Sequence, residues 1–305
     1  MLVSDKIHAF PTKPCARRHT PLNPANPPIV LVFAASDPSC GAGIQADLLT
    51  LASLGCLPLT ALTALTVQDS SGVESIHAID ANLLERQARL LLEDMPVAAF
   101  KIGALGSTAN IIRVAEIVSD YPDIPLVLDP VLSSGRGDPF SDDEMVDALC
   151  ELLLPQTTIL TPNTPEARRL AEADDDMDEP DAALCAWRLT EMGTQFVLIT
   201  GTHENTPQVV NALFDASGFL RQDHWPRLPG SYHGSGCTLS SAIAGRLANG
   251  ANMEQAVREA EEYTWNTLSK AFRPGMGQFI PDRLFWARAN SELSEKDSAH
   301  DQKQQ

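Results

Sequence analysis

The sequence is short of positive charge. Its 305 residues carry 22 Lys and Arg against 40 Asp and Glu, a formal net charge of −18 and a pI of about 4.6. Between positions 29 and 286 the only lysines are Lys101 and Lys270. A surface of that sign repels phosphodiester backbones and anionic headgroups, which excludes a general nucleic-acid binder and a partner of anionic membranes. Long hydrophobic runs are missing as well; none approaches the roughly 18–20 apolar residues of a membrane span. Cysteines are few, at 15, 40, 56, 150, 185 and 237, with no C-x-x-C pair and no zinc-like Cys/His spacing. They read as reduced thiols, and the expected location is the cytoplasm. The first residues lack the apolar core of a secretory signal and are studded with proline from Pro11 to Pro28.

What is present is an ordinary core composition, 44% hydrophobic, in a chain long enough to fold without disulfide or metal staples. Residues 1–28 read as an extended arm, 29–286 as a single folded body and 287–305 as a polar tail. The continuous apolar run at 29–35 is the pattern of a strand buried on both faces of a parallel sheet. Period-3.6 stripes predict helices at 44–54, 81–93, 107–118, 141–153, 164–171, 181–192, 238–247 and 253–271. Short apolar runs between them predict strands at 58–67, 73–79, 98–102, 126–129, 158–161 and 196–200, and a hairpin at 209–214 and 219–225. Strand–helix alternation of this length predicts an α/β fold with helices on both faces of the sheet. The acidic stretch 172–181 has neither the central Gly nor the distal Glu of a calcium loop and reads as a solvated connection.

The strongest chemical signal is His233-Gly-Ser-Gly-Cys-Thr238, small residues followed by a helix that the pattern starts near Cys237 or Thr238. Gly234, Ser235 and Gly236 let backbone amides converge, and the helix dipole adds positive potential, so the segment can cradle an anion. A plain loop-to-helix turn would leave the same pattern.

Other segments extend the signal. Ser36-Asp-Pro-Ser-Cys-Gly-Ala-Gly-Ile-Gln-Ala-Asp47 resembles the N-terminal signature of the hydroxymethylpyrimidine/phosphomethylpyrimidine kinases. The matching pieces Thr63-Ala-Leu-Thr-Val-Gln-Asp69, Lys101-Ile-Gly103, Val127-Leu-Asp-Pro-Val131, Leu153-Leu-Pro-Gln156 and Thr161-Pro-Asn-Thr-Pro-Glu-Ala167 follow in the same order. The resemblance spans nearly all of 29–286. It implies a ribokinase-like three-layer α/β/α sandwich with a mostly parallel central sheet, a homodimer, and transfer of the γ-phosphate of Mg-ATP. The small-molecule substrate it implies is 4-amino-5-hydroxymethyl-2-methylpyrimidine, and then the monophosphate, on the route to thiamine.

The resemblance also implies roles. Gln68 offers an amide donor and acceptor to the aminopyrimidine edge. Asp47, Ala42, Gly43, Val131 and Ala35 would line the substrate pocket. Asn163 and Glu166 match an N-x-x-E element, with Glu166 and Asp129 holding Mg²⁺. Cys237, flanked by the catalytic glycines Gly234 and Gly236, would take the hydroxyl proton, its thiol pKa lowered at a helix N-terminus. ATP would meet Asn163, Thr200, Gly201 and Ser235. In place of the family's Lys-Gly-Gly-His segment stands Thr200-Gly-Thr-His203, so the lysine is absent, and Arg136 is the first candidate for its charge, ahead of Lys101. Cys40, Ala35 and Ala104 also depart from the pattern around the substrate. Two other readings stay open: a pyridoxal or pyridoxine kinase on the same fold, and a catalytically weak vitamin-binding or sensor protein.

Overall fold

In the computed structural model, which describes residues 26–133, 140–171, 182–204 and 206–288, the apolar run at 29–35 is a strand, β1 (Ile29–Ser36), with its first seven residues buried. Side chains alternate across a strand. Leu31 and Phe33 therefore enter one apolar layer, while Val30, Val32 and Ala34 enter the other. This two-sided burial is why no polar alternation was visible in the sequence.

The chain continues through α1 (Gly43–Ser53), β2 (Leu57–Gln68), β3 (Val73–Ala78), α2 (Ala81–Asp94), β4 (Val97–Ile102), α3 (Thr108–Ser119), β5 (Leu126–Leu128) and α4 (Asp143–Ala148). It goes on through β6 (Ile159–Leu160), α5 (Thr164–Leu170), α6 (Ala182–Glu191), β7 (Phe196–Thr200), β8 (Gln208–Asp215), β9 (Gly218–Pro226), α7 (Ser235–Ala248) and α8 (Met253–Ser269). The nine strands form one sheet in the order β3-β2-β1-β4-β5-β6-β7-β8-β9. The six from β2 to β7 run parallel; β3, β8 and β9 are added antiparallel at the two edges. Residues of α2 to α6 build the layer on one face, and residues of α1, α7 and α8 the layer on the other. Helices on both faces agree with the expectation from the alternation, and the three-layer sandwich with its mostly parallel sheet agrees with what the resemblance implies.

The chain leaves β1 toward β2 on one side and returns to β4 on the other. Such a reversal opens a crevice beyond the carboxyl ends of the strands, the usual ligand position in open α/β sheets.

Two boundaries differ from the sequence reading. The helix expected at 141–153 is regular only as far as Ala148; a widened π turn (Leu149–Leu153) and a 3₁₀ turn (Leu154–Gln156) follow. Pro155 has no amide to donate and its ring collides with the preceding turn, so the regular ladder cannot run into it. Helix α7 starts at Ser235, before the expected Cys237 or Thr238, because Gly234 caps it in the left-handed conformation at φ 80°. Ser107 caps α3 as expected, accepting from the Asn110 amide. Among the described residues no helix is long and apolar enough to cross a membrane.

Candidate active site

The sheet order lays the candidate residues out in a line. Gln68 ends β2, Ala35 lies at the end of β1, Lys101 near the end of β4, and Asp129 directly after β5. Thr161 and Asn163 follow β6, and Thr200 ends β7. With neighbouring strands about 4.8 Å apart, the row from β2 to β7 is roughly 24 Å long. All seven side chains border one cavity of about 450 Å³, a volume within the usual range for small-molecule sites.

The cavity floor is formed where two loops meet. One joins β1 to α1 and contains Ala42 and Gly43; the other enters α7 through Gly234. Gly43 and Gly234 both have positive φ, and a Cβ on Gly234 would overlap the Gly41 carbonyl. The first α-helical bond here runs from the Thr238 amide to the Gly234 carbonyl. The amides of Ser235, Gly236 and Cys237 therefore have no acceptor within the helix, and they sit at its positive end beside the cavity. Beside them the His233 ring is 2.8 Å from the Asp37 carboxylate. Burial opposes ionisation of Asp37, yet hydrogen bonds from His233, the Ala42 amide, Ser39 and Gln68 hold the carboxyl well below the usual range.

Under the cradle lies a buried charge cluster. Lys101 is fully enclosed and forms a 3.0 Å ion pair with Asp47, which also accepts a 2.6 Å bond from the Ser241 hydroxyl. Burial disfavours the charged ammonium, but Asp47, Cys237 and Asp129 outweigh it and raise the lysine pKa. Asp129 accepts from the Ser240 hydroxyl at 3.2 Å. Its pKa is raised by burial and by Asp47, against the pull of Lys101. The Glu166 carboxylate accepts the Leu132 amide at 3.1 Å and the Asn163 amide at 3.0 Å, while the Asn163 side chain accepts the Glu166 amide at 2.9 Å. This capping box fixes the start of α5. Burial, then Asp129, push the Glu166 pKa up to about 7.

Several expectations need correction. Cys237 is not a ready thiolate: burial, Asp129 and Asp47 push its pKa up to about 12 despite Lys101. The helix-dipole argument weighed only α7, whereas the opposing carboxylates arrive from β5 and α1. Asp47 does not border the cavity; it sits behind it as the partner of Lys101. Gly201 is also outside the lining, its amide bonded to the Val210 carbonyl. Arg136 and the acidic stretch 172–181 lie outside the described residues. Ala35, Ala42, Gly43, Gln68, Val131, Asn163, Thr200, Ser235, Gly234, Gly236, Cys237, Asp129 and Glu166 do border the cavity. Val131 does so in a strained conformation, φ 42°, unusual for a β-branched residue.

Other residues were not singled out from sequence. The wall near β8 and β9 carries Glu261, which accepts from Asn211 at 3.0 Å and from the Trp225 indole at 3.4 Å. Arg227 also borders the cavity, donating to the carbonyls of Gly201, Thr202, Glu204 and Thr206. Only Ser240 and Ser241 had a readable signal, the run of small residues one turn beyond Gly236 and Cys237.

Residues 37–282 match the family model described as phosphomethylpyrimidine kinase. A hydroxymethylpyrimidine/phosphomethylpyrimidine kinase from Streptomyces coelicolor is 38% identical over 261 residues, covering 84% of this chain and 94% of that protein. The protein of the same description from Escherichia coli is 35% identical over 79% of this chain and 91% of its own length. Among solved structures, the pyridoxal kinase from Staphylococcus aureus in complex with AMP-PCP and pyridoxal superposes with a TM-score of 0.77 at 28% identity, covering 86% of this chain and 95% of that one. A phosphomethylpyrimidine kinase from Clostridium difficile superposes with a TM-score of 0.67 at 32% identity, covering 78% and 97%.

Proposed function

The chain belongs to the phosphomethylpyrimidine kinase family, and from that premise we propose that it transfers the γ-phosphoryl group of ATP to 4-amino-5-hydroxymethyl-2-methylpyrimidine, and then to the resulting monophosphate. The observation that carries the reading is the row of residues along the strand ends: an amide at Gln68, free helix amides at Ser235 to Cys237, carboxylates at Asp129 and Glu166, and polar groups at Asn163 and Thr200. A ring at the β1–β2 end and a nucleotide at the β6–β7 end place the reacting groups over the cradle.

In this arrangement Gln68 and the small residues Ala35, Ala42 and Gly43 hold the flat ring, with Val131 against it. The hydroxymethyl oxygen forms the new P–O bond as the bond to the β-phosphate oxygen breaks and ADP leaves with the electron pair. The amides of α7 stabilise the charge on the transferred group. Because the transition state is loose, the hydroxyl proton leaves late, onto an oxygen of the transferred phosphoryl group and from there to water, and placement matters more than a strong base. A neutral Cys237 thiol suits that demand: it orients the hydroxyl without taking its proton beforehand. Asn163, Thr200 and Ser235 hold the nucleotide.

Asp129 and Glu166 fit Mg²⁺. They are two buried hard oxygen donors: burial opposes the charge on both and Asp129 opposes that of Glu166, which a divalent cation relieves. Among the described residues no group of three metal-ligating side chains exists. An ion held there would take its remaining ligands from phosphate and water. Bound there, Mg²⁺ would neutralise charge on the phosphates. We also read the protein as a homodimer, as the family resemblance implies, and as cytoplasmic, on its cysteine pattern.

The likeness to a pyridoxal-bound kinase supports a second reading, phosphorylation of pyridoxal. The curated relatives at 35–38% identity favour the pyrimidine. Mass spectrometry of the product formed from hydroxymethylpyrimidine, ATP and magnesium tests the assignment. Mono- and diphosphorylated pyrimidine are expected; unchanged pyrimidine would reject it.

A further inference from the structure

Arg283, beyond α8, is 2% exposed and does not border the cavity. Its guanidinium reaches both halves of the floor. One Nη donates to the Gly41 carbonyl at 2.6 Å and to the Gly234 carbonyl at 3.4 Å; the other donates to the Cys40 carbonyl at 3.3 Å. Its Nε donates to the Thr238 hydroxyl at 3.1 Å. Among the described residues no carboxylate lies within ion-pair distance of it, although the chain is rich in acids. The adjacent Asp282 pairs with Arg288 instead. The Tyr263 hydroxyl holds the Arg283 carbonyl at 2.8 Å.

This geometry has two consequences. Three carbonyl oxygens converge where Gly41 and Gly234 touch; the Gly234 oxygen also accepts from the Thr238 amide and hydroxyl, and Arg283 is the donor that spans all three. The Gly234 carbonyl turned toward Arg283 leaves the amides that follow it, Ser235 to Cys237, on the cavity side, whereas in the other loop the amides of Cys40, Gly41 and Ala42 are taken by Asp37 and Ser39. In addition, the buried guanidinium has no carboxylate within ion-pair distance among the described residues, and Asp47 and Asp37 act on it only from farther off, so part of its charge acts on the cradle at short range, where the low dielectric strengthens it.

We propose that Arg283 is a positioning residue for phosphoryl transfer: it staples the β1–α1 loop to the entry of α7 and lends the cradle a fixed positive charge. The staple's part in turnover rests on the kinase reading; its part in anion binding does not.

The test compares the unaltered chain with Arg283→Ala and Arg283→Lys. Each is checked for fold by circular dichroism, then measured for kcat, both KM values and calorimetric affinity for pyrophosphate. In R283A, kcat should fall about 10²-fold, the effect of a misplacement of roughly 1 Å. KM for the pyrimidine should stay unchanged and pyrophosphate should bind more weakly. Added guanidinium ion should restore part of both losses. In R283K the compact ammonium lacks the planar fork that reaches three carbonyls and the Thr238 hydroxyl together, so kcat should also fall with the pyrimidine KM unchanged. A folded R283A with unaltered kcat and pyrophosphate affinity would overturn the proposal, as would losses that guanidinium leaves untouched. Should R283A not fold, an R283K with unaltered kcat overturns it equally. Absence of ADP release by the unaltered chain would reject the kinase reading, while pyrophosphate affinity still decides the staple.

Discussion

Replacing Glu166 by glutamine should shift stability in opposite directions on the two sides of neutrality. The carboxyl keeps its proton up to about pH 7, against 4.5 for an ordinary glutamate, because burial and Asp129 oppose its charge. A group that holds its proton more tightly folded than unfolded gives its full stabilisation below the unfolded pKa, and loses it as pH rises through the folded one. Between those two values the ligand-free protein should lose about 3 kcal/mol from this residue. Glutamine cannot ionise, so the variant escapes that loss. It pays elsewhere: the carboxyl serves two amides, of Leu132 and Asn163, its hydroxyl oxygen still able to accept when protonated, and glutamine has one oxygen. Leaving one buried amide facing an NH₂ group costs about 1–3 kcal/mol. Below about pH 5 E166Q should therefore be the less stable protein, and near pH 8.5 it should match or exceed the unaltered chain. Urea unfolding of both proteins in magnesium-free buffer, followed by tryptophan fluorescence, measures the difference. An equal difference at both pH values would refute the reasoning.

Three further outcomes follow from the site. Alkylation at mildly alkaline pH should label the exposed Cys40 before Cys237, whose thiol is pushed up to about 12; peptide mass spectrometry reads the order, and prior labelling of Cys237 would contradict its neutral state. Lys101→Met should destabilise by about 3–5 kcal/mol, because it strands Asp47 as a buried charge. Adding Asp47→Asn should recover much of that in the same unfolding assay. Gly234→Ala should lower kcat sharply, since its Cβ would overlap the Gly41 carbonyl and part the two loops; kcat and pyrophosphate affinity check it together.

The fold was largely legible because its signals are local. The apolar run of β1, the Ser107 cap and the hairpin β8–β9 each depend on neighbours in sequence. Motifs at strand ends located the cavity as well, since a parallel sheet gathers those ends at one edge. The electrostatics were not legible. Cys237 looked like an activated thiol from its helix alone, but Asp47 reaches it from α1 and Asp129 from beyond β5, and no local pattern records that meeting. Asp47 looked like a pocket residue because Ala42 and Gly43, a turn earlier, are; one turn of helix carries it behind the floor to Lys101. Arg283 gave no signal, since its partners are not its neighbours in sequence: the carbonyls of Cys40 and Gly41 lie 243 and 242 residues away, and Gly234 and Thr238 lie 49 and 45 away.

The opening scarcity of positive charge now has a local answer. On the proposed reading the acidic chain would meet a polyphosphate through helix amides at 235–237, the buried cations Lys101 and Arg283, and two carboxylates suited to Mg²⁺. The measurement that tests this account most directly is kcat/KM with Mg-ATP for hydroxymethylpyrimidine and for pyridoxal, side by side. Clear preference for the pyrimidine, with ADP released in step with product, is the predicted result. Preference for pyridoxal, or no turnover of either, would contradict it.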